Sequence, residues 1–251
     1  MTELTPDGII KNFGLAKLQV VRDGDQSTVI DQYSQVPLQL HHPLYLDAAS
    51  FPTVYLKTPS SGMLGGDVHE IEVRVGPGSE LELRTQAATL AYPGPSSLSI
   101  DIDVAAGGKL TFLPHPLILG EDSQVTQKVR INLGPDACLE FSDTWCAGRI
   151  AMQEAWKFHR YDYCLEIFKT GNLAYRERWH LAPHNMAVTH PLICGEYTHF
   201  STRFRFGATP NSEEGSLFPD ASWEDSQGWR LERDGDLISR RCAKARSAVT
   251  C

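Results

Sequence analysis

The 251-residue chain lacks an excess of positive charge, long apolar runs and paired cysteines, and each lack removes a class of function. Lysine and arginine number 23 against 31 aspartates and glutamates, for a net charge of -8. Such a balance does not neutralise a phosphate backbone, so no nucleic-acid partner is expected. No apolar run approaches the roughly 20 residues of a membrane-spanning helix. The opening MTELTPDGIIKNFGLAK has acidic residues where a secretory signal has a basic stretch and an apolar core. The expectation is a cytoplasmic protein with no membrane partner. The cysteines at 138, 146, 164, 194, 242 and 251 include no CxxC pair, so neither a zinc knuckle nor a compact disulfide framework is expected.

Catalytic signatures are missing too. There is no GxSxG nucleophile elbow, no HExxH, no GxxxxGK[ST] phosphate loop and no two-Cys-two-His spacing. Nine histidines are present, at 41, 42, 69, 115, 159, 180, 184, 190 and 199, and their contexts mark none as a permanent metal ligand. Strong helical periodicity is scarce; short helices are expected only after Trp145, through about Trp156, and near the C-terminus.

What is present is a repeat. IEVRVGPGSELELRTQA, IDIDVAAGGKLTFLPHP and VRINLGPDACLEFSDTW begin at residues 71, 100 and 129, 29 apart, and align without gaps. Each reads as an alternating apolar strand, a turn of Gly, Pro, Asp or Ala, and a second alternating strand. Ile71, Val73 and Val75 share a face, as do Leu81 and Leu83. One copy cannot bury its own apolar face, so the copies should stack around a common core. The fold class expected is all-β with a few short helices, in layered or β-solenoid-like sheets. Hairpins are expected at 15–33 across RDGDQ and at 163–181 across KTGN.

Extending the parity of the second strands places Thr85, Pro114 and Asp143 at one inward position. In the later hairpin Leu173, Tyr175, Glu177, Trp179 and Leu181 share a face. Asp143 and Glu177 are therefore carboxylates on otherwise apolar faces. A buried carboxylate must be paired, protonated, metal-bound or in a wet passage. An ion pair with Arg84, Arg149 or Arg178 is one alternative, and a polar channel another. Two smaller features stand beside these. Gly65-Gly66-Asp67 is either a tight turn whose Asp67 binds backbone amides or a ligand loop. Thr85, Gln86 and Thr89, spaced by small residues, suit a solvated loop or a water-lined wall.

The blocks YLKTPSSGMLGGD (55–67), RTQAATLAYPG (84–94), LPHPLIL (113–119), DTWCAGRIAMQEAW (143–156) and GNLAYRERWHL (171–181), preceded by VPLQLHHPLY (36–45), resemble in order the UreD (UreH) family of urease accessory proteins. The run departs from the family's pattern at Leu90 to Pro93, where basic residues are usual. The resemblance implies a non-enzymatic, mostly β maturation factor. Its implied partners are apo-urease and a helical UreF-like protein, which recruits a UreG-like GTPase. Its implied task is nickel delivery through an internal tunnel, with nickel a transient cargo and no tightly bound cofactor. On the matching positions, Asp67, Asp143 and Glu177 would be metal-path residues, and Thr85, Gln86, Thr89 and Arg149 tunnel-lining or structural ones. A single UreD-like β domain is expected over 1–207. Residues 208–251 read as loop and short tail, with 234–251 the opening of a helical segment. Outside the family, a carbohydrate-active β-helix enzyme using the two carboxylates, or a β binding module without a metal path, fits the same residues.

Overall fold

The computed structural model describes residues 2–4, 10–60, 62–207, 227–233 and 236–243. Its strands in chain order are β1 (Thr2–Leu4), β2 (Ile10–Asp23), β3 (Gln26–Gln35), β4 (Gln39–Leu40), β5 (Thr53–Lys57), β6 (Gly62–Met63), β7 (Asp67–Val75), β8 (Glu80–Thr85), β9 (Thr89–Ala91) and β10 (Gly94–Val104). They continue with β11 (Lys109–Phe112), β12 (Leu117–Leu119), β13 (Ser123–Leu133), β14 (Cys138–Cys146), β15 (Arg160–Lys169), β16 (Asn172–Leu181), β17 (His199–Phe206), β18 (Gln227–Arg233) and β19 (Asp236–Ala243).

The 29-residue offset is one coil of a solenoid. Ile71, Ile100 and Val129 are direct neighbours on the parallel strands β7, β10 and β13. Leu81, Leu110 and Leu139 are direct neighbours on β8, β11 and β14. Each coil thus donates its first strand to one sheet and its second to the facing one. The first sheet has the order β1-β2-β7-β10-β13-β15-β16, with β3 also paired to β2. The second has the order β18-β19-β17-β14-β11-β8-β5-β4, with β6, β9 and β12 as a short ladder attached to β14. Both hairpins form as the alternation requires: β2 pairs antiparallel with β3, and β15 with β16.

The core is the space between the sheets, filled by the period-two apolar sets of both. Ile71, Val73, Val75, Leu81 and Leu83 are all buried. Phe112, Phe141 and Phe204 line up across β11, β14 and β17 with ring centroids 5.9 Å apart. No helix among the described residues is long and apolar enough to cross a membrane.

Three expectations need correction. Leu173 leaves its inward series because the β15–β16 register shifts by a bulge between Ile167 and Phe168, which turns it outward to 45% exposure. After Trp145 the chain forms only one turn of 3₁₀ helix, Ile150–Met152. Left-handed residues at Gln153 and Trp156 reverse the backbone there, and the Trp156 amide closes the loop onto the Ala147 carbonyl at 2.8 Å. Of the segment expected to open a helix, the described residues 236–243 are instead strand: β19 pairs antiparallel with β17, and β18 with β19. Its alternation of Ile238, Arg240 and Cys242 is a strand pattern with one charge in it, and it satisfies the open edge of β17. Residues 208–226, expected as loop, lie outside the described residues.

Candidate functional site

The strands bring the polar exceptions of the pattern into one layer. On the first sheet, cross-strand pairing sets His69, Leu98, Gln127, Tyr163 and Trp179 side by side. On the second sheet, Asp143 neighbours Thr202, and Thr202 neighbours Arg240. The two rows meet where the Gln127 Nε2 donates to Asp143 Oδ2 at 3.1 Å. The Tyr161 hydroxyl donates to Gln127 Oε1 at 2.9 Å, which fixes the amide's orientation, and the Tyr163 hydroxyl also donates to Asp143. Burial raises the Asp143 pKa from 3.8 to about 6; the bonds from Tyr163, Gln127 and the Thr144 backbone, and the charge of Arg240, hold it from rising further.

Asp143 opens into a cavity of about 130 Å³ between the sheets. His69, Gln127 and Thr144 are its other buried polar lining groups. Its exposed lining includes Gln86 and His115, with half-buried Thr85 and Thr89 beside them, so the mouth lies at the corner between β8 and β9. Thr85 shapes that corner: its hydroxyl meets His115 Nδ1 at 2.9 Å and accepts the His115 amide at 2.7 Å. Asp143, Thr85, Gln86 and Thr89 are thus brought to one cavity.

Glu177 sits two residues along β16 from that row and is a neighbour of Leu165. Its side chain is 8% exposed and forms an ion pair with Arg240, itself 16% exposed. Trp179 Nε1 and the Tyr175 hydroxyl donate to the same carboxylate. Arg240 also donates to Thr202 Oγ1 at 3.0 Å and stacks over Trp179 with its guanidinium carbon 5.0 Å from the ring centroid. One guanidinium therefore compensates Glu177 directly and Asp143 at longer range.

Asp67 lies elsewhere, at the start of β7. Leu64 N donates to Oδ2 at 2.8 Å and Asn12 Nδ2 to Oδ1 at 3.0 Å, so the turn reading of the Gly-Gly-Asp segment is realised. Glycine is required ahead of it: a Cβ on Gly65 would stand 2.6 Å from the Pro93 carbonyl oxygen, and Gly66 has φ of 94°. Among the described residues no group of three or more His, Cys, Asp or Glu side chains is placed to hold a metal ion. Asp67, Asp143 and Glu177 do not converge on one point.

Arg149 is exposed and away from the cavity. Its Nε donates to Glu154 Oε2 at 2.7 Å, and the resulting two-pronged pair braces the loop after β14. Beside it, Gly148 has φ of 141°, and a Cβ there would lie 2.3 Å from the Glu154 carbonyl oxygen. Gly148→Ala is therefore expected to cost about 2 kcal/mol or more in urea unfolding, while Arg149→Ala, at the surface, shifts the midpoint little.

The family model for the UreD urease accessory protein matches residues 13–240. The chain belongs to the UreD family. It is similar to the urease accessory protein UreD of Synechococcus sp. (strain JA-2-3B'a(2-13)), with 41% identity over 163 residues, covering 64% of this chain and 59% of the relative. The archaeal UreD of Haloarcula marismortui is 28% identical over 208 residues, 81% of this chain and 69% of the relative. The protein named UreH of Helicobacter hepaticus is 27% identical over 189 residues, 74% of each chain. The chain thus spans about three-fifths of the length of the Synechococcus UreD it matches. UreD is a family of accessory proteins and not of enzymes, which sets aside a glycan hydrolase built on Asp143 and Glu177.

Within this UreD-family chain the ion-pair alternative takes an unexpected form. Arg84 pairs with Glu82, Arg149 with Glu154, and Arg178 is exposed on the opposite face of its strand from Glu177. The base that compensates both carboxylates is Arg240, from the segment read as tail. His69, Gln127, Tyr161, Tyr163 and Arg240 were missed as site residues. For His69 and Gln127 the signal was available: the parity of the first strands leads backward from Ile71 to His69 and from Val129 to Gln127, two 29-residue periods apart.

Proposed function

We propose that the chain acts in urease maturation as a cytoplasmic scaffold. It holds apo-urease and a UreF-like helical protein, with a UreG-like GTPase bound through the latter, and nickel crosses its polar layer on the way to urease. The family membership supports the maturation role. The observation that carries the nickel reading is Asp143, a buried carboxylate opening into a cavity whose mouth is lined by Thr85, Gln86 and Thr89. Burying an ionisable group among leucines and phenylalanines costs stability, and such placements concentrate at working sites.

The chemistry fits a carrier better than a store. Carboxylate, amide and hydroxyl oxygens hold nickel less tightly than imidazole or thiolate does, so an ion placed among them exchanges readily. Nickel enters this reading as cargo, with no tightly bound cofactor, and the two carboxylates attract it and offset its charge while water completes its shell. Arg240 keeps Glu177 neutralised in the absence of an ion.

Co-expression with urease and the UreF-like and UreG-like proteins tests the reading. Asp143→Ala and Glu177→Ala are each expected to lower the nickel content of purified urease several-fold while the complex still co-purifies. Normal nickel content in both variants would leave only a β assembly module without a metal path.

A further inference from the structure

His69 is a buried polar group that the route through Asp143 leaves unused. It occupies an inward position on β7 whose successors are Ile71, Val73 and Val75 and whose cross-strand neighbour is Leu98. The residue is 2% exposed, and its Nε2 has no hydrogen-bond partner. Leaving such a nitrogen unpaired in a core costs about 1–3 kcal/mol, and an orphan of this kind calls for a specific explanation, an ion among them.

The atom facing Nε2 is Asp67 Oδ2, 3.7 Å away. That is too long for a hydrogen bond. An imidazole nitrogen and a carboxylate oxygen that share one transition-metal ion at about 2.1 Å each stand roughly 3 to 3.5 Å apart at ordinary coordination angles, so a shift of a few tenths of an ångström suffices. The carboxylate is already aimed, because Asn12 Nδ2 and Leu64 N both donate to it. Both bonds address it as an acceptor, the role of an ionised carboxylate.

The pair also stands in a wall between two spaces. Asp67 lines an open groove of about 400 Å³ together with Asn12, Ser60 and Leu64. His69 lines the 130 Å³ cavity that contains Asp143. We propose that Asp67 and His69 form a transfer point for a divalent transition-metal ion, which takes the ion from the groove and passes it into the cavity. The inference rests on the reading of the layer as a nickel passage and adds its entry.

The donor set selects the class of ion. Imidazole with carboxylate suits nickel, zinc or copper, whereas calcium and magnesium take oxygen donors. A ligating imidazole must be neutral. With two protein ligands and water for the rest, the ion is held loosely enough to move on.

The test is titration of the full chain with nickel chloride, followed by calorimetry and by nickel-induced paramagnetic broadening of the labelled histidine side chains. Wild type is expected to bind one equivalent more than His69→Leu or Asp67→Asn, with the His69 ring signal broadened at substoichiometric nickel. His69→Gln, which keeps a polar group in place, is the companion variant should leucine disturb folding. Unchanged stoichiometry in either His69 variant with a wild-type melting curve, or an unbroadened His69 ring, overturns the proposal. Asp143→Asn in the same titration separates the two readings. Loss of the extra equivalent in the His69 variant alone supports the entry point whatever Asp143 does in urease maturation.

Discussion

Asp143→Asn is expected to be more stable than the wild type above about pH 6 and to abolish a loss of stability that the wild type suffers as pH rises from about 4 to 6. The folded state holds the Asp143 proton up to about pH 6 against an ordinary value of 3.8. Between those values the folded chain binds a proton that the unfolded chain has released, so stability falls with rising pH. Below the window both states are protonated and above it both are ionised, so the full penalty persists at neutral pH. The gap corresponds to roughly 3 kcal/mol at 1.36 kcal/mol per pH unit. Asparagine keeps the shape and avoids burying a charge, and its carbonyl can still accept from Gln127 or Tyr163. His69, whose pKa is lowered by burial, titrates in the opposite sense, with stability lost as pH falls below its unfolded value. The informative quantity is therefore the difference between variant and wild type in urea denaturation from pH 4 to 7.5. A pH-independent difference would place the Asp143 charge in water.

Arg240→Ala is expected to be the most damaging single change in the layer. Among the described residues it leaves Glu177, 8% exposed at its side chain, with the Trp179 and Tyr175 donors alone, and it removes the positive charge that steadies Asp143. Breaking a buried pair from one side costs about 3–5 kcal/mol, because the remaining charge is stranded. Removing both charges costs far less. The Glu177→Leu/Arg240→Met double variant should recover most of the loss, with a coupling of about 2 kcal/mol in a double-mutant cycle. Additive losses would mean that the two side chains act independently. Arg240→Ala would also remove the side-chain bond that Arg240 makes to Thr202 across the β17–β19 pair.

The solenoid was legible because its signal is periodic. Ile71, Ile100 and Val129 recur at the coil length and become neighbours in space, so the repeat carries both strand positions and register. Asp143 and Glu177 were legible for the same reason, as breaks in an alternating face. The parts that escaped depend on contacts between segments far apart in sequence. Nothing near Glu177 indicates that its counter-ion lies at Arg240, because that pairing is created by the sheet order β14-β17-β19. The C-terminal strand was hidden for a local reason: a charged residue interrupts the apolar pattern of Ile238 and Cys242, and only the facing carboxylates make that charge fit. Leu173 was misplaced because a bulge changes side-chain parity without changing composition.

The same Asp143→Asn variant gives the most direct test of the passage, since it changes charge at nearly constant shape. The measurement is the nickel content per urease active site after co-expression with the variant, alongside its denaturation midpoint at pH 7. The expected result is a midpoint above that of the wild type together with several-fold less nickel in urease. A stabilised variant that delivers a full complement of nickel would contradict the assignment of the polar layer as the route.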